Sequence, residues 1–235
     1  MTNYFNELTK HLNTLGRRHD LARVFNDLLT LGICSFHSTN IKSLLQEKDE
    51  KNETLYFETI KPYAKDDLRE LSKALGILQL NVYHEPYSDI LGEFFMCHIT
   101  RGQNGQYFTP EPVCELMAVI NIEDAESDGK RVLDPACGSG RMLLRAAKIN
   151  QRNYFFGADS SNTCAKMATL NFFLNGLKGE VAWMNSLSME WFGGWQINQS
   201  GLGILPIEKE QSRIWSEAPM PETPEFDKTP QKQPN

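Results

Sequence analysis

Apolar residues recur at helical spacing through the first part of the chain. Leu8, Leu12 and Leu15 form one stripe, and Leu21, Val24, Phe25, Leu28, Leu29 and Leu31 form a second. Gly32 is the expected stop of that second helix. Residues 46–53 are almost wholly charged or polar and predict a loop or a solvated face. Periodicity returns over 56–80 (Leu68, Leu71, Leu75, Leu78), with Pro62 marking a start. Residues 85–89 break the pattern, and Ser88 or Asp89 is placed to cap a short helix carrying Ile90, Leu91, Phe94 and Phe95. Residues 1–98 therefore predict a helical N-terminal domain.

A Gly-rich polar loop follows at 99–110. Pro110 or Pro112 opens a helix through Val113, Leu116, Met117 and Ile120, with Thr109 as its expected N-cap. The texture changes at Arg131. A short apolar run ends in Asp134, a glycine turn and a helical pattern follow, and a second run, 154–159, ends in Asp159. Another helical pattern leads to a third run, 180–185, ending in Asn185. This β-α-β-α-β rhythm predicts an α/β fold with a parallel sheet. Beyond Ser188 the rhythm fails. Residues 195–197 and 203–207 can pair as a hairpin, and residues 99–212 as a whole predict a shortened, Rossmann-like sheet domain. The stretch 213–235 is Pro-rich and polar and is expected to be disordered.

Charge and composition narrow the function. The 235 residues carry a net charge of -6, which argues against a freestanding binder of nucleic acid driven by charge alone. The basic residues form no stripe. No apolar run approaches the roughly 20 residues of a membrane span, and the first residues lack the apolar core of a secretory signal, so the chain is expected to be cytoplasmic, with no membrane partner. The five cysteines include no CxxC pair and the five histidines no HxxxH pair, so no metal site is expected.

The chemistry gathers at the three strand ends. In Asp134-Pro135-Ala136-Cys137-Gly138-Ser139-Gly140, glycines at a strand-to-helix turn let backbone approach a ligand, and the helix N-terminus favours polar or anionic groups. The spacing is not the GxGxxG of a dinucleotide site. It suits a ligand with a carboxylate and a ribose, or else an ordinary turn. Asp159 is placed to accept both hydroxyls of a ribose, or to cap the next helix. Asn185 can meet an adenine edge, or serve as a turn residue. In a parallel sheet all three fall on one edge, where open α/β folds bind ligands.

The string DPACGSGRML resembles motif I of adenine-specific (N6) DNA methyltransferases, and more narrowly the modification subunit of type I restriction-modification systems. The upstream loop Gly105-Gln106-Tyr107-Phe108-Thr109-Pro110 strengthens the resemblance, because that family carries such a loop ahead of motif I and a helical domain before it. The resemblance implies S-adenosylmethionine as cofactor and DNA as substrate. Carried over position by position, it implies cofactor contacts from Tyr107, Phe108, Thr109 and Pro110, from Asp134, Ala136, Cys137, Gly138 and Gly140, from Asp159 at the ribose and from Asn185 at the adenine. Phe108 suits a cover over the adenine or the sulfonium, since a ring face attracts a cation. Arg141 departs from the small residue usual there and is expected to reach solvent.

The family's catalytic motif is an Asn or Asp, two prolines and an aromatic. This chain has no Pro-Pro dipeptide, and no Asn-Pro or Asp-Pro follows Asn185, so its catalytic residues are not identified. In the expected place stand Trp191, Phe192 and Trp195, read as covering a sheet edge or as a docking patch. The polar tail reads as that of a natural short form which keeps the cofactor half. The expectation is an adenine-N6 DNA methyltransferase of the modification-subunit kind, or alternatively a catalytically silent module that binds S-adenosylmethionine or docks a partner. An uncovered strand edge makes a protein partner or a homodimer completing the sheet plausible.

Overall fold

The computed structural model describes residues 3–37, 49–100, 108–122, 128–199 and 203–215. Tyr107 and residues 216–235 of the Pro-rich stretch lie outside the described residues.

The helical part forms as its periodicity dictates. Helices α1 (Tyr4–Gly16), α2 (Leu21–Ser35), α3 (Glu50–Ile60) and α4 (Lys65–His84) precede a short α5 (Ile90–Phe94), which runs into a π turn over Phe95–Thr100. Asn3, Asp20 and Asp49 cap the first three by accepting from backbone N–H groups of the first turn. At α4 the Asp67 carboxylate accepts the Ala64 N–H at 3.2 Å. The stripe of Leu8, Leu12 and Leu15 is fully buried, at roughly 2–3 kcal/mol of transfer free energy per leucine. Gly32 does not end α2. It lies inside the helix, where a Cβ would meet Leu170 at 3.0 Å, so the glycine permits close packing across helices rather than a turn.

Helix α6 (Glu111–Asn121) begins one residue later than Thr109 would require. Pro110 is its N-cap and supplies no side-chain acceptor, while Pro112 occupies the first turn, where its missing N–H costs nothing. Then come β1 (Arg131–Asp134), α7 (Arg141–Ile149), β2 (Tyr154–Asp159), α8 (Asn162–Leu174), β3 (Lys178–Asn185), β4 (Glu190–Ile197) and β5 (Ile204–Pro206). The sheet runs in the order β1-β2-β3-β4-β5. β1, β2 and β3 are parallel, and β3-β4 and β4-β5 are antiparallel. The architecture is thus α/β, a helical region followed by a mixed five-stranded sheet.

The segment with Trp191, Phe192 and Trp195 is strand β4, which covers the edge of β3 by antiparallel pairing. Trp191 lies so close to Gly194 that a Cβ there would stand 2.6 Å from its ring, and Phe192 packs beside Trp183 at 5.2 Å. The expected hairpin is present, with Gln196 opposite Leu205 and Ile197 opposite Ile204.

The two faces of the sheet are covered differently. Phe155, Val181 and Ile197 pack under α7 and α8, against Leu143, Leu144, Ala165, Ala168 and Phe172. A second cluster joins α1, α2, α4 and α5 to Met167 and Leu170 of α8 and to Ile204 of β5, so the helical region packs on that helix and on the last strand. On the opposite face Phe156, Ala158, Ala182 and Met184 are buried with Ile214. Residues 212–214 are strapped there by Glu180, whose Oε2 accepts from the Ser212 hydroxyl and the Arg213 N–H, and by Arg131, which donates to the carbonyl of Arg213. Burial pushes the Glu180 carboxyl up, and these donors pull it back.

β1 is the terminal strand, and no described strand lies along its outer edge. A cavity of about 410 Å³ opens along that edge, between α6 and α7, lined by Met117, Ala118, Leu133, Asp134, Pro135 and Met142. The neighbouring surface of α6 is apolar and exposed, with Leu116 at 59% and Val119 at 65%.

Candidate functional site

Parallel pairing brings Asp134, Asp159 and Asn185 to one edge of the sheet, because each is the last residue of its strand. The strand ends are tied to one another. The Gly138 N–H donates to Asp159 Oδ2 at 2.9 Å, the Cys137 N–H donates to the Ala158 carbonyl, and the Ser186 hydroxyl donates to the Pro135 carbonyl.

Two glycines shape the loop between β1 and α7. Gly138 and Gly140 have φ of 55° and 82°, the left-handed region that only glycine enters without strain. Each also admits a close neighbour. A Cβ on Gly138 would stand 2.9 Å from Phe108, and one on Gly140 would stand 3.1 Å from Phe172. The upstream aromatic thus lies directly against the glycine loop. Phe108 also stacks on Phe95 at 5.9 Å, which joins it to the helical region.

The acids at the edge are half-buried. Asp134 Oδ1 accepts from the Ala136 N–H at 3.0 Å. Asp159 Oδ1 accepts from the Ser161 N–H at 2.8 Å, in addition to the bond from Gly138. A carboxylate has about four lone-pair positions, so both acids retain acceptor capacity that no described residue uses. Burial raises both carboxyls above their ordinary range, and the charge of Asp159 raises Asp134 further. Two such neighbours favour a ligand that brings hydroxyl donors or positive charge.

Ser161, not Asp159, caps α8. Asn185 is a turn residue, its Oδ1 accepting from the N–H groups of Leu187 and Ser188, and its amide nitrogen takes no part in that turn. Ala136 is exposed at the loop. The Cys137 side chain faces inward, where a Cβ on Gly157 would meet its Sγ at 2.9 Å, and burial pushes the thiol far up. A ligand at the edge can therefore reach Cys137 only through its backbone. The Thr109 carbonyl accepts from the Cys114 thiol, and Pro110 starts α6.

Arg141 does not reach solvent. It is buried, and its Nε donates to Asp89 Oδ2 at 2.9 Å. Around Asp89 lies a group of side chains that the strand-end pattern does not reveal: Ser139 on the glycine loop, Arg141 on α7 and Asn171 on α8. A signal for it exists in the sequence. A cation in the first turn of α7 opposes the positive end of the helix dipole and calls for an acid.

The model of the N-6 DNA Methylase family matches residues 85–229, more than half of the chain. The chain is 28% identical over 181 residues to the Type I restriction enzyme MjaVII methylase subunit of Methanocaldococcus jannaschii, covering 74% of this chain and 27% of that protein. It is 34% identical over 103 residues to the MjaVIII methylase subunit of the same organism, covering 40% of this chain and 17% of that one. Among solved structures, the type I restriction-modification methyltransferase subunit of Streptococcus thermophilus aligns with a TM-score of 0.39 and 17% identity, over 74% of this chain and 56% of that one. The chain spans about a quarter or less of the length of these curated relatives.

Proposed function

The chain belongs to the N-6 DNA methylase family, and on that premise we propose that it holds S-adenosylmethionine at the shared ends of β1, β2 and β3, as the cofactor-binding part of an adenine-N6 DNA methyltransferase of the type I modification kind. One observation carries the reading. Two half-buried carboxylates with acceptor capacity that no described residue uses stand beside a glycine loop whose left-handed Gly138 lies against Phe108. An ordinary turn has no use for a pair of acids whose charged forms are disfavoured by burial. A ligand with a ribose and two positive centres does.

The residues fit the group. Asp159 accepts from the ribose hydroxyls with the lone pairs left by Gly138 and Ser161, and Asp134 faces the cationic end. The backbone of Ala136, Cys137, Gly138 and Gly140 provides the close approach. Asn185 offers its amide to the adenine edge, and Phe108, with Thr109 and Pro110, closes the site from the upstream loop. Bound there, S-adenosylmethionine supplies a methyl group activated by its sulfonium. The chain's own residues bind and orient it and exclude water from it.

The residues that hold the target adenine come from outside the described residues. We place their entry at the open edge of β1, where the cavity between α6 and α7 and the apolar face of α6 receive the polypeptide that continues the sheet. DNA is engaged by that assembly rather than by this acidic chain alone. No helix among the described residues is long and apolar enough to cross a membrane, and the proposed place of action is the cytoplasm.

Calorimetric titration of S-adenosylmethionine into the purified chain tests the reading, with Asp134→Ala and Asp159→Ala beside it. Micromolar binding that both variants lose is the expected result, followed by methyl transfer to adenine in DNA once the completing polypeptide is added. Absence of binding at millimolar ligand would overturn it.

A further inference from the structure

Asp89 belongs to the helical region, yet its carboxylate has no free acceptor. Its side chain is completely buried. Oδ1 accepts from the Gly92 N–H and from Asn171 Nδ2, both at 2.9 Å. Oδ2 accepts from the Ser139 hydroxyl at 2.5 Å and from Arg141 Nε at 2.9 Å. All four lone-pair positions are filled, and the donors come from α5, the glycine loop, α7 and α8. Asn171 closes the ring, since its Nδ2 also donates to the Ser139 carbonyl at 2.9 Å. Ser139 is therefore gripped at both its hydroxyl and its carbonyl, between the two glycines that shape the loop.

A second observation concerns Gly92. A Cβ there would stand 2.2 Å from Asp89 Oδ2 and 2.5 Å from Ser139 Oγ. The glycine leaves the room in which Ser139 reaches Asp89. Alanine would be the better helix former, so at this position access for the loop outweighs helix propensity.

We propose that Asp89 is a positioning residue for the cofactor loop: through Ser139 and Arg141 it holds residues 138–140 in their ligand-ready shape, so that the helical region sets the geometry of the site. This rests on the cofactor reading above but acts on the loop whether or not a ligand is present. Glycines at 138 and 140 make the loop pliable, and pliability costs affinity unless something outside the loop fixes it. Asp89 does so without touching the ligand.

The test compares four variants of the full chain: Asp89→Asn, Ser139→Ala, Gly92→Ala and, as a control, Asn198→Ala. The Asn198 side chain bonds to the Leu177 carbonyl and the Gly203 N–H, at the opposite edge of the sheet, so its loss lowers melting temperature without reaching the loop. Hydrogen exchange of the amides of 138–141 is read in the ligand-free protein, and S-adenosylmethionine affinity is read by calorimetry. The first three variants are expected to exchange these amides faster than wild type and to bind about tenfold or more weakly. Asn198→Ala is expected to lose melting temperature and to match wild type in both readouts. Loop exchange unchanged in Asp89→Asn and Ser139→Ala would overturn the proposal. So would equal acceleration in the control, which would mark a general loss of stability. Should wild type itself fail to bind, the cofactor reading falls, and the exchange data alone decide this one.

Discussion

Asp89 and the pair Asp134–Asp159 stand on either side of one glycine loop, and burial raises all three carboxyls. What separates them is who supplies the donors. The protein fills every acceptor position of Asp89, from four different elements. Among the described residues, one position on Asp134 and two on Asp159 are filled, all from backbone N–H groups of the loop and the adjoining turn. A saturated buried carboxylate is architecture. A half-satisfied one at the strand ends carries a desolvation cost with no internal return, and a ligand is the natural recipient of its remaining lone pairs.

The largest effect is expected from breaking the saturated side. Asp89→Ala leaves Arg141 buried without its partner and strands the Ser139 and Asn171 donors. Removing one member of a buried ion pair typically costs about 3–5 kcal/mol, or a fall of roughly 10 °C in melting temperature for a domain of this size. Thermal unfolding followed by circular dichroism measures it. A fall of only a degree or two would mean that the site relaxes or hydrates, and Asp89 would lose its architectural standing. Asp159→Asn should be intermediate. One carboxylate oxygen becomes a donor, so either Gly138 or Ser161 loses an acceptor, at about 1–3 kcal/mol. Stability and cofactor affinity should fall together.

Asp134→Asn should separate the two quantities. The asparagine carbonyl still accepts from Ala136, while the charge that burial opposes is gone. Because the folded-state carboxyl is raised, its stabilising contribution is complete below the ordinary carboxylate range and is lost as pH rises through the folded value. The variant should therefore melt a few degrees above wild type at neutral pH, with the difference vanishing below about pH 4, and it should bind S-adenosylmethionine at least tenfold more weakly. Melting temperature against pH for both proteins is the measurement. A variant less stable than wild type at pH 7 would mean that Asp134 is already satisfied within the fold.

The same contrast explains what could be read from the sequence. Strand ends are local, so Asp134, Asp159 and Asn185 and the parallel order that joins them followed from runs of apolar residues and the acids that end them. The Asp89 cap was legible for the same reason. Its long-range partners were not, because Arg141 looks like a surface residue until the fold places an acid beneath it. Gly32 could be read only as a stop, since the sequence does not distinguish a glycine that turns the chain from one that lets Leu170 approach. Trp191, Phe192 and Trp195 look like a patch because Gly193 and Gly194 interrupt their pattern. Only pairing with β3 reveals a strand.

The smallest effect on the chain itself is expected where the surface is unused rather than the lone pairs. Leu116 and Val119 on α6 are apolar, exposed and beside the open edge of β1. Exposed positions away from packing change stability by roughly 0.5 kcal/mol or less, so Leu116→Glu and Val119→Glu should leave melting temperature and cofactor affinity as in wild type. Their effect should appear only in association, as a loss of co-purification with the polypeptide that completes the sheet and of the methyl transfer that depends on it. If instead the variants unfold the chain, α6 is covered by the chain's own residues and the β1 edge is not the point of entry. If association survives both charges, the completing strand enters elsewhere, and the unused apolar surface and the unused lone pairs do not serve one site.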